Sequence, residues 1–168
     1  MALLEIKKYP EKVLKQKTAP VIDINSSIQS LIDDMIETMY AAKGVGLAAN
    51  QVGISKRLCV IDISAADEGI PLIVLINPDI IEKKGFVEEE EGCLSIPDYR
   101  AKVKRAKDVV VRALDRKGKP IEIAGGDLLA RALQHEIDHL EGMLFVDRLS
   151  PIKREFFKKK FKKAMGNK

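Results

Sequence analysis

Residues 25–44, "NSSIQSLIDDMIETMYAAKG", place apolar side chains at Ile28, Leu31, Ile32, Met35, Ile36, Met39 and Tyr40. Spacing by threes and fours predicts an amphipathic helix, capped by Asn25 or Ser26 and stopped by Gly44. The pattern then changes to short runs rich in Val and Ile: "RLCVIDI", "PLIVLINPDII", "DVVVRALD" and "PIEIAG", each bounded by turn residues. These predict strands. Helical spacing returns from about Gly126 to Glu141, with Leu129, Leu133, Ile137 and Leu140 as the apolar stripe and Gly142 as the stop. A third helix is predicted in the tail, with Ile152, Phe156, Phe157 and Phe161 along one side. Helix, several strands, helix, helix reads as α+β rather than alternating βαβ. No repeat or linker divides the chain, so a single domain over 1–168 is expected.

Composition changes this picture in three places. No apolar run is long enough to cross a bilayer, and the N-terminus lacks a signal-peptide pattern, so a cytoplasmic protein is expected. Two cysteines, Cys59 and Cys93, do not make a disulfide framework. The net charge of +4 is uneven: residues 153–168 carry +7 and the remainder −3. Basicity belongs to the tail, and a cationic helix of that kind suits a nucleic-acid surface.

The two histidines of the chain are His135 and His139, in "ALQHEIDHLEG", with Glu136 between them. Imidazoles at i and i+4 lie one turn apart and can share a metal ion. Glu136 falls inside the apolar stripe, where a carboxylate needs a cation, a proton or a task. Beside a metal-activated water that task is general-base catalysis. Two structural histidines are the plainer alternative. A catalytic metal wants a third protein ligand, and two residues are candidates. Cys93, in "EEEEGCLSIPDY", sits where Gly92 and Pro97 make the backbone irregular; the carboxylate of Glu155 would instead give a zincin-like peptidase. Cys59, inside "RLCVIDI", reads as core filler. "GVGLAANQVG", residues 44–53, contains a glycine pattern like a dinucleotide fingerprint, but it ends a helix instead of opening one, so no dinucleotide is expected. Its glycines suit close backbone approach to a ligand, and Gln51 can donate a hydrogen bond there.

Taken together, "GVGLAANQ", "EGCLS" and "QHEIDH" resemble, in order and spacing, the three signature motifs of the peptide deformylases, over essentially the whole chain. The resemblance implies an α+β fold with antiparallel-rich sheets around a central HExxH helix, flanked by N-terminal and C-terminal helices. It implies removal of the formyl group from N-formylmethionyl nascent peptides, with release of formate. The metal ligands would be Cys93, His135 and His139, holding one divalent ion: Fe²⁺ by preference, with Zn²⁺, Ni²⁺ or Co²⁺ also acceptable. Glu136 would be the general base, and Gln51 and the Leu94 backbone N–H would hold the oxyanion. Val45, Gly46, Gly92 and Arg100 would meet the peptide, which would lie as an added strand. Leu128 and Ala132 would line the methionine pocket, and Glu91 and Arg105 match a family ion pair. The basic C-terminal helix, about 151–168, would bring the enzyme to the ribosome. A ribosome- or RNA-binding protein with a structural metal is the non-enzymatic rival, but it leaves Glu136 and Gln51 without a task.

Overall fold

The computed structural model describes residues 2–166, with side chains through Lys163. The first predicted helix is α1, Ser26–Ala41, and the Asn25 side chain accepts the Ile28 N–H at 3.1 Å as its cap. Strands β1 (Gly46–Ala48), β2 (Leu58–Ile61), β3 (Ile73–Lys84), β6 (Asp108–Leu114) and β7 (Pro120–Gly126) form one antiparallel sheet in the order β1-β2-β3-β6-β7. Between β3 and β6 the chain makes a separate antiparallel hairpin, β4 (Val87–Cys93) and β5 (Ile96–Arg105). Helix α2, Asp127–Leu140, packs across the sheet, and α3, Pro151–Gly166, follows a short 3-10 turn at Phe145–Arg148. The architecture is the α+β arrangement expected from the sequence. Residues 167 and 168 of the expected tail helix lie outside the described residues.

The uninterrupted apolar run of β2 has a simple cause. Successive side chains of a strand point to opposite faces, and here both faces are covered. Cys59 and Ile61 pack toward α2 with Leu129, Leu133 and Ile137, while Leu58 and Val60 pack toward α1 with Ile32, Met35 and Met39. At β2 the sheet is therefore covered on both faces, by α2 on one and α1 on the other.

A third core gathers Tyr9, Tyr99, Phe145, Phe157 and Phe161. It corrects the expected tail face. Adjacent residues on a helix diverge by about 100°, so Phe156 cannot share a side with Phe157. Phe157 is buried on Tyr9 and Tyr99, whereas Ile152 and Phe156 are 71% and 68% exposed on the other side. An N-terminal arm adds the last tie. Lys7 N–H donates to the Gln51 carbonyl at 2.6 Å and Tyr9 N–H to the Ser95 carbonyl at 2.8 Å, joining the segments that carry two of the motifs.

Candidate metal centre and catalytic cleft

Helix α2 presents His135 and His139 one turn apart, and β4 ends on Cys93 opposite them. A register irregularity between Glu91 and Cys93 turns the end of β4, which swings the thiol toward the helix. Cys93 Sγ lies 3.3 Å from His139 Nε2, which lies 3.2 Å from His135 Nε2, and the three donor atoms all fall within 4.8 Å of one another. Ligands on a zinc-sized tetrahedral ion stand roughly 3.3–3.6 Å apart, so the spacing fits. The chemistry of the donors fits as well. His135 Nδ1 points at Glu91 Oε1, 3.0 Å away, and an Nδ1–H donating to that carboxylate leaves the Nε2 lone pair facing the cluster. Burial pushes His139 well below the usual imidazole range, which favours the neutral ring a metal requires; at His135 the Cys93 and Glu91 contacts outweigh burial and favour a positive charge, the charge that a bound cation would supply instead. Donor atoms that converge in this way need a proton or a metal cation among them.

Glu155, the other candidate ligand, is not part of the cluster. It is exposed on α3 and lies 3.9 Å from Lys158. Cys59 is fully buried under α2, and burial, with Glu136 nearby, pushes its thiol up. The converging sulfur is that of Cys93.

Glu136 is 4% exposed, and its Oε1 has no hydrogen-bond partner among the described residues. Burial raises its carboxyl to about 7, against the opposing pull of His135 and Arg105. Gly46 explains how it fits. A Cβ on Gly46 would stand 2.5 Å from Glu136 Oε2, so the absent side chain is what admits the carboxylate. The sequence suggested close approach of a ligand at this glycine; the atoms that approach it are those of Glu136.

Gln51 occupies the 3-10 turn Ala49–Val52 and is 2% exposed. Its Oε1 accepts the Ala48 N–H at 2.9 Å, which turns the amide so that Nε2 faces Ser95 Oγ at 3.1 Å and Cys93 Sγ at 3.6 Å. Leu94 follows Cys93 in the tight connection between β4 and β5, with its side chain against Gly44.

These groups open on a cleft of about 670 Å³. Val45, Gly46, Gln51, Gly92, Cys93 and Leu94 line one part of it, and Leu128, Ala132, His135 and Glu136 on α2 line another. Arg100 lies at the rim, its Nε donating to Glu90 Oε1 at 2.8 Å and its guanidinium over the open face of Gly92. Arg131 and Lys43 share the rim. His139 lies beneath, 1% exposed. The site residues that the resemblance implies lie together here, whereas Glu155 does not.

Behind the cluster is a buried polar layer of which sequence reading found only part. Arg105 forks onto Glu91, with Nε and Nη2 each 2.9 Å from a carboxylate oxygen, and this is the expected pair. Burial alone would raise the Glu91 carboxyl, but Arg105 and then His135 outweigh it and hold it at about 2. Asp138, Arg148 and Asn50 were not expected. Asn50 donates to the His139 carbonyl, and Thr18 Oγ1 to the Leu140 carbonyl at 2.9 Å, satisfying the carbonyls at the end of α2. Asp138, a second carboxylate in the same motif as Glu136, is buried and meets two cations, Arg105 and Arg148.

Comparison with known proteins agrees with this geometry. The family model described as polypeptide deformylase matches residues 3–155. A peptide deformylase of Thermodesulfovibrio yellowstonii is 58% identical over 162 residues, 96% of this chain and 98% of that one. One from Syntrophobacter fumaroxidans is 57% identical over 165 residues, 98% of this chain and 97% of its own. Among solved structures, a peptide deformylase from Legionella pneumophila superposes with a TM-score of 0.88 at 50% identity, covering 99% of both chains. One from Ehrlichia chaffeensis in complex with actinonin gives 0.89 at 41% identity, covering 98% of both. With a match spanning nearly its whole length, the chain belongs to the polypeptide deformylase family.

Proposed function

We propose that Cys93, His135 and His139 hold one divalent metal ion and that Glu136, Gln51 and the Leu94 N–H carry out, around it, the deformylation of N-formylmethionyl peptides. The convergence of three ligand atoms beside a buried carboxylate and an oriented amide carries this reading. The bound ion would supply Lewis-acid chemistry, making water acidic near neutral pH and polarising the formyl oxygen. Glu136 then takes a proton from the attacking water as its oxygen bonds to the formyl carbon. The same carboxyl returns the proton to the peptide nitrogen as the C–N bond breaks, so formate and a free amine leave. The Gln51 amide and the Leu94 N–H donate to the oxygen that gains charge on the way. We take Fe²⁺ as the native ion; a thiolate with two imidazoles also accepts Zn²⁺, Ni²⁺ and Co²⁺.

The remaining cleft residues fit the substrate. Leu128 and Ala132 give the methionine side chain an apolar wall, and Val45, Gly46, Gly92 and Arg100 offer surface to an extended peptide. Formate release from a short formylmethionyl peptide tests the whole reading. Replacing Gln51 by Leu is expected to lower kcat by about 2.7–4 kcal/mol of transition-state stabilisation while KM changes little. An unchanged kcat would make the amide purely structural.

The tail serves localisation. Lys158, Lys159, Lys162 and Lys163 are exposed on α3, and a cationic helix raises local concentration beside ribosomal RNA by counterion release. Because Phe157 is buried, cutting the tail at residue 152 would also open the aromatic core. Changing these four lysines to Gln is the cleaner test. It is expected to remove salt-sensitive cosedimentation with ribosomes and leave turnover on short peptides intact. Retained binding would discard the tail as the contact. No helix among the described residues is long and apolar enough to cross a membrane.

A further inference from the structure

Asp138 lies between two guanidinium groups. Its Oδ2 accepts from Arg105 Nη1 at 2.6 Å and from Arg148 Nε at 3.0 Å, while its Oδ1 accepts from Arg148 Nη2 at 2.7 Å. Arg105 carries on to Glu91, and Glu91 to His135 Nδ1. The side chains of Arg105, Glu91 and Asp138 are 2%, 8% and 9% exposed, so this chain of charges runs through the interior and emerges only at Arg148. The 3-10 turn that ends on Arg148 also begins with Phe145, whose ring stacks on His135 with centroids 6.3 Å apart at 24°. Asp147 pins that turn by accepting the Leu144 N–H at 2.8 Å and the Lys15 ammonium at 2.6 Å.

The geometry points to Arg148 as a positioning residue: through Asp138, Arg105 and Glu91 it fixes the ring of His135 and so sets how firmly the metal is held. This rests on His135 being a metal ligand. Two carboxylates and two guanidiniums balance in the buried layer. Without Arg148, one cation stands between two buried carboxylates, and Asp138 keeps a single hydrogen bond. Asp138 then competes with Glu91 for Arg105. Any slackening of the Arg105 fork frees the Glu91 oxygen that orients His135. Partners one step behind a metal ligand commonly matter in this way, because they hold the ring and its proton in place.

The test uses the full chain loaded with Co²⁺, whose thiolate charge-transfer band reports ligation by Cys93. Release of Co²⁺ to a competing chelator is followed for Arg148→Met, Arg148→Lys and Arg116→Met. Arg116 bonds Gln29 and Asp33 away from the cleft and controls for general loss of stability. Arg148→Met is expected to release the ion about 10–100-fold faster. Arg148→Lys, which keeps the charge and loses the fork, should fall between it and the unaltered chain. With metal in excess, KM for a formylmethionyl peptide should be unchanged. Wild-type release in Arg148→Met, or equal acceleration in Arg116→Met, would overturn the inference while leaving the ligand set intact. Absence of the charge-transfer band in the unaltered chain would overturn the ligand assignment and this inference with it.

Discussion

Glu136→Gln is expected to keep its metal and lose about two to four orders of magnitude in kcat, the usual worth of a positioned proton carrier. The substitution preserves shape, so the fit against Gly46 is undisturbed. It also keeps the ligand set, because the converging atoms belong to Cys93, His135 and His139. What it removes is a group able to accept a proton. The native carboxylate is almost fully buried, yet its Oε1 makes no hydrogen bond among the described residues. A carboxylate with only a structural part to play would be paired at that depth. Folding stability should therefore hold or rise slightly in the variant, since a buried ionisable group is exchanged for a neutral amide. Metal analysis and kcat on a formylmethionyl peptide decide the matter together. Full turnover with full metal would remove Glu136 from the chemistry, and lost metal would place it among the ligands.

The sequence made the helices and four of the five strands of the large sheet legible through simple patterns, but not β1, whose three residues lie in the glycine-rich segment. Residues 25–44 repeat at helical spacing, and β2 and β3 are apolar runs bounded by turn residues. The β4–β5 hairpin was harder to see. Four consecutive glutamates give no alternation, and this segment pairs with β5 outside the large sheet, where half of each strand faces solvent. It read only as a segment made irregular by Gly92 and Pro97. The ligands and Glu136 were legible because metal chemistry restricts residue type and spacing. The supporting layer was not, because contacts such as Asp138 to Arg148 or Asn50 to the His139 carbonyl depend on how separate elements dock. Arg148 in "FVDRLS" looks like any surface arginine until the turn that carries it is seen against α2.

The two cysteines allow a controlled comparison, and the expected effects lie at opposite extremes. Cys93→Ala should lose most of the bound metal and with it nearly all turnover, while Cys59→Ala should keep both. Both thiols lie close to α2, so proximity alone does not separate them. Orientation and environment do. Cys93 Sγ stands 3.3 Å from His139 Nε2 at the cleft, beside the other two donor atoms. Cys59 is fully buried on the α2 face of β2, and its thiol is pushed up by burial and by Glu136. It behaves as a small hydrophobe, and trimming it to Ala should cost about 1 kcal/mol of stability. Removing Cys93 leaves two imidazoles and no anionic ligand, a set that binds divalent ions far more weakly. Cys93→Ser sharpens the comparison, because an alcohol matches the thiol in shape but not in softness or acidity. It should behave like Cys93→Ala in metal content and like the metal-free unaltered chain in folding. Elemental analysis after dialysis, with thermal unfolding of the same samples, distinguishes the outcomes. Equal metal loss in the Cys59 and Cys93 variants would mean that the metal leaves because α2 is loosened, and Cys93 would no longer stand as a ligand.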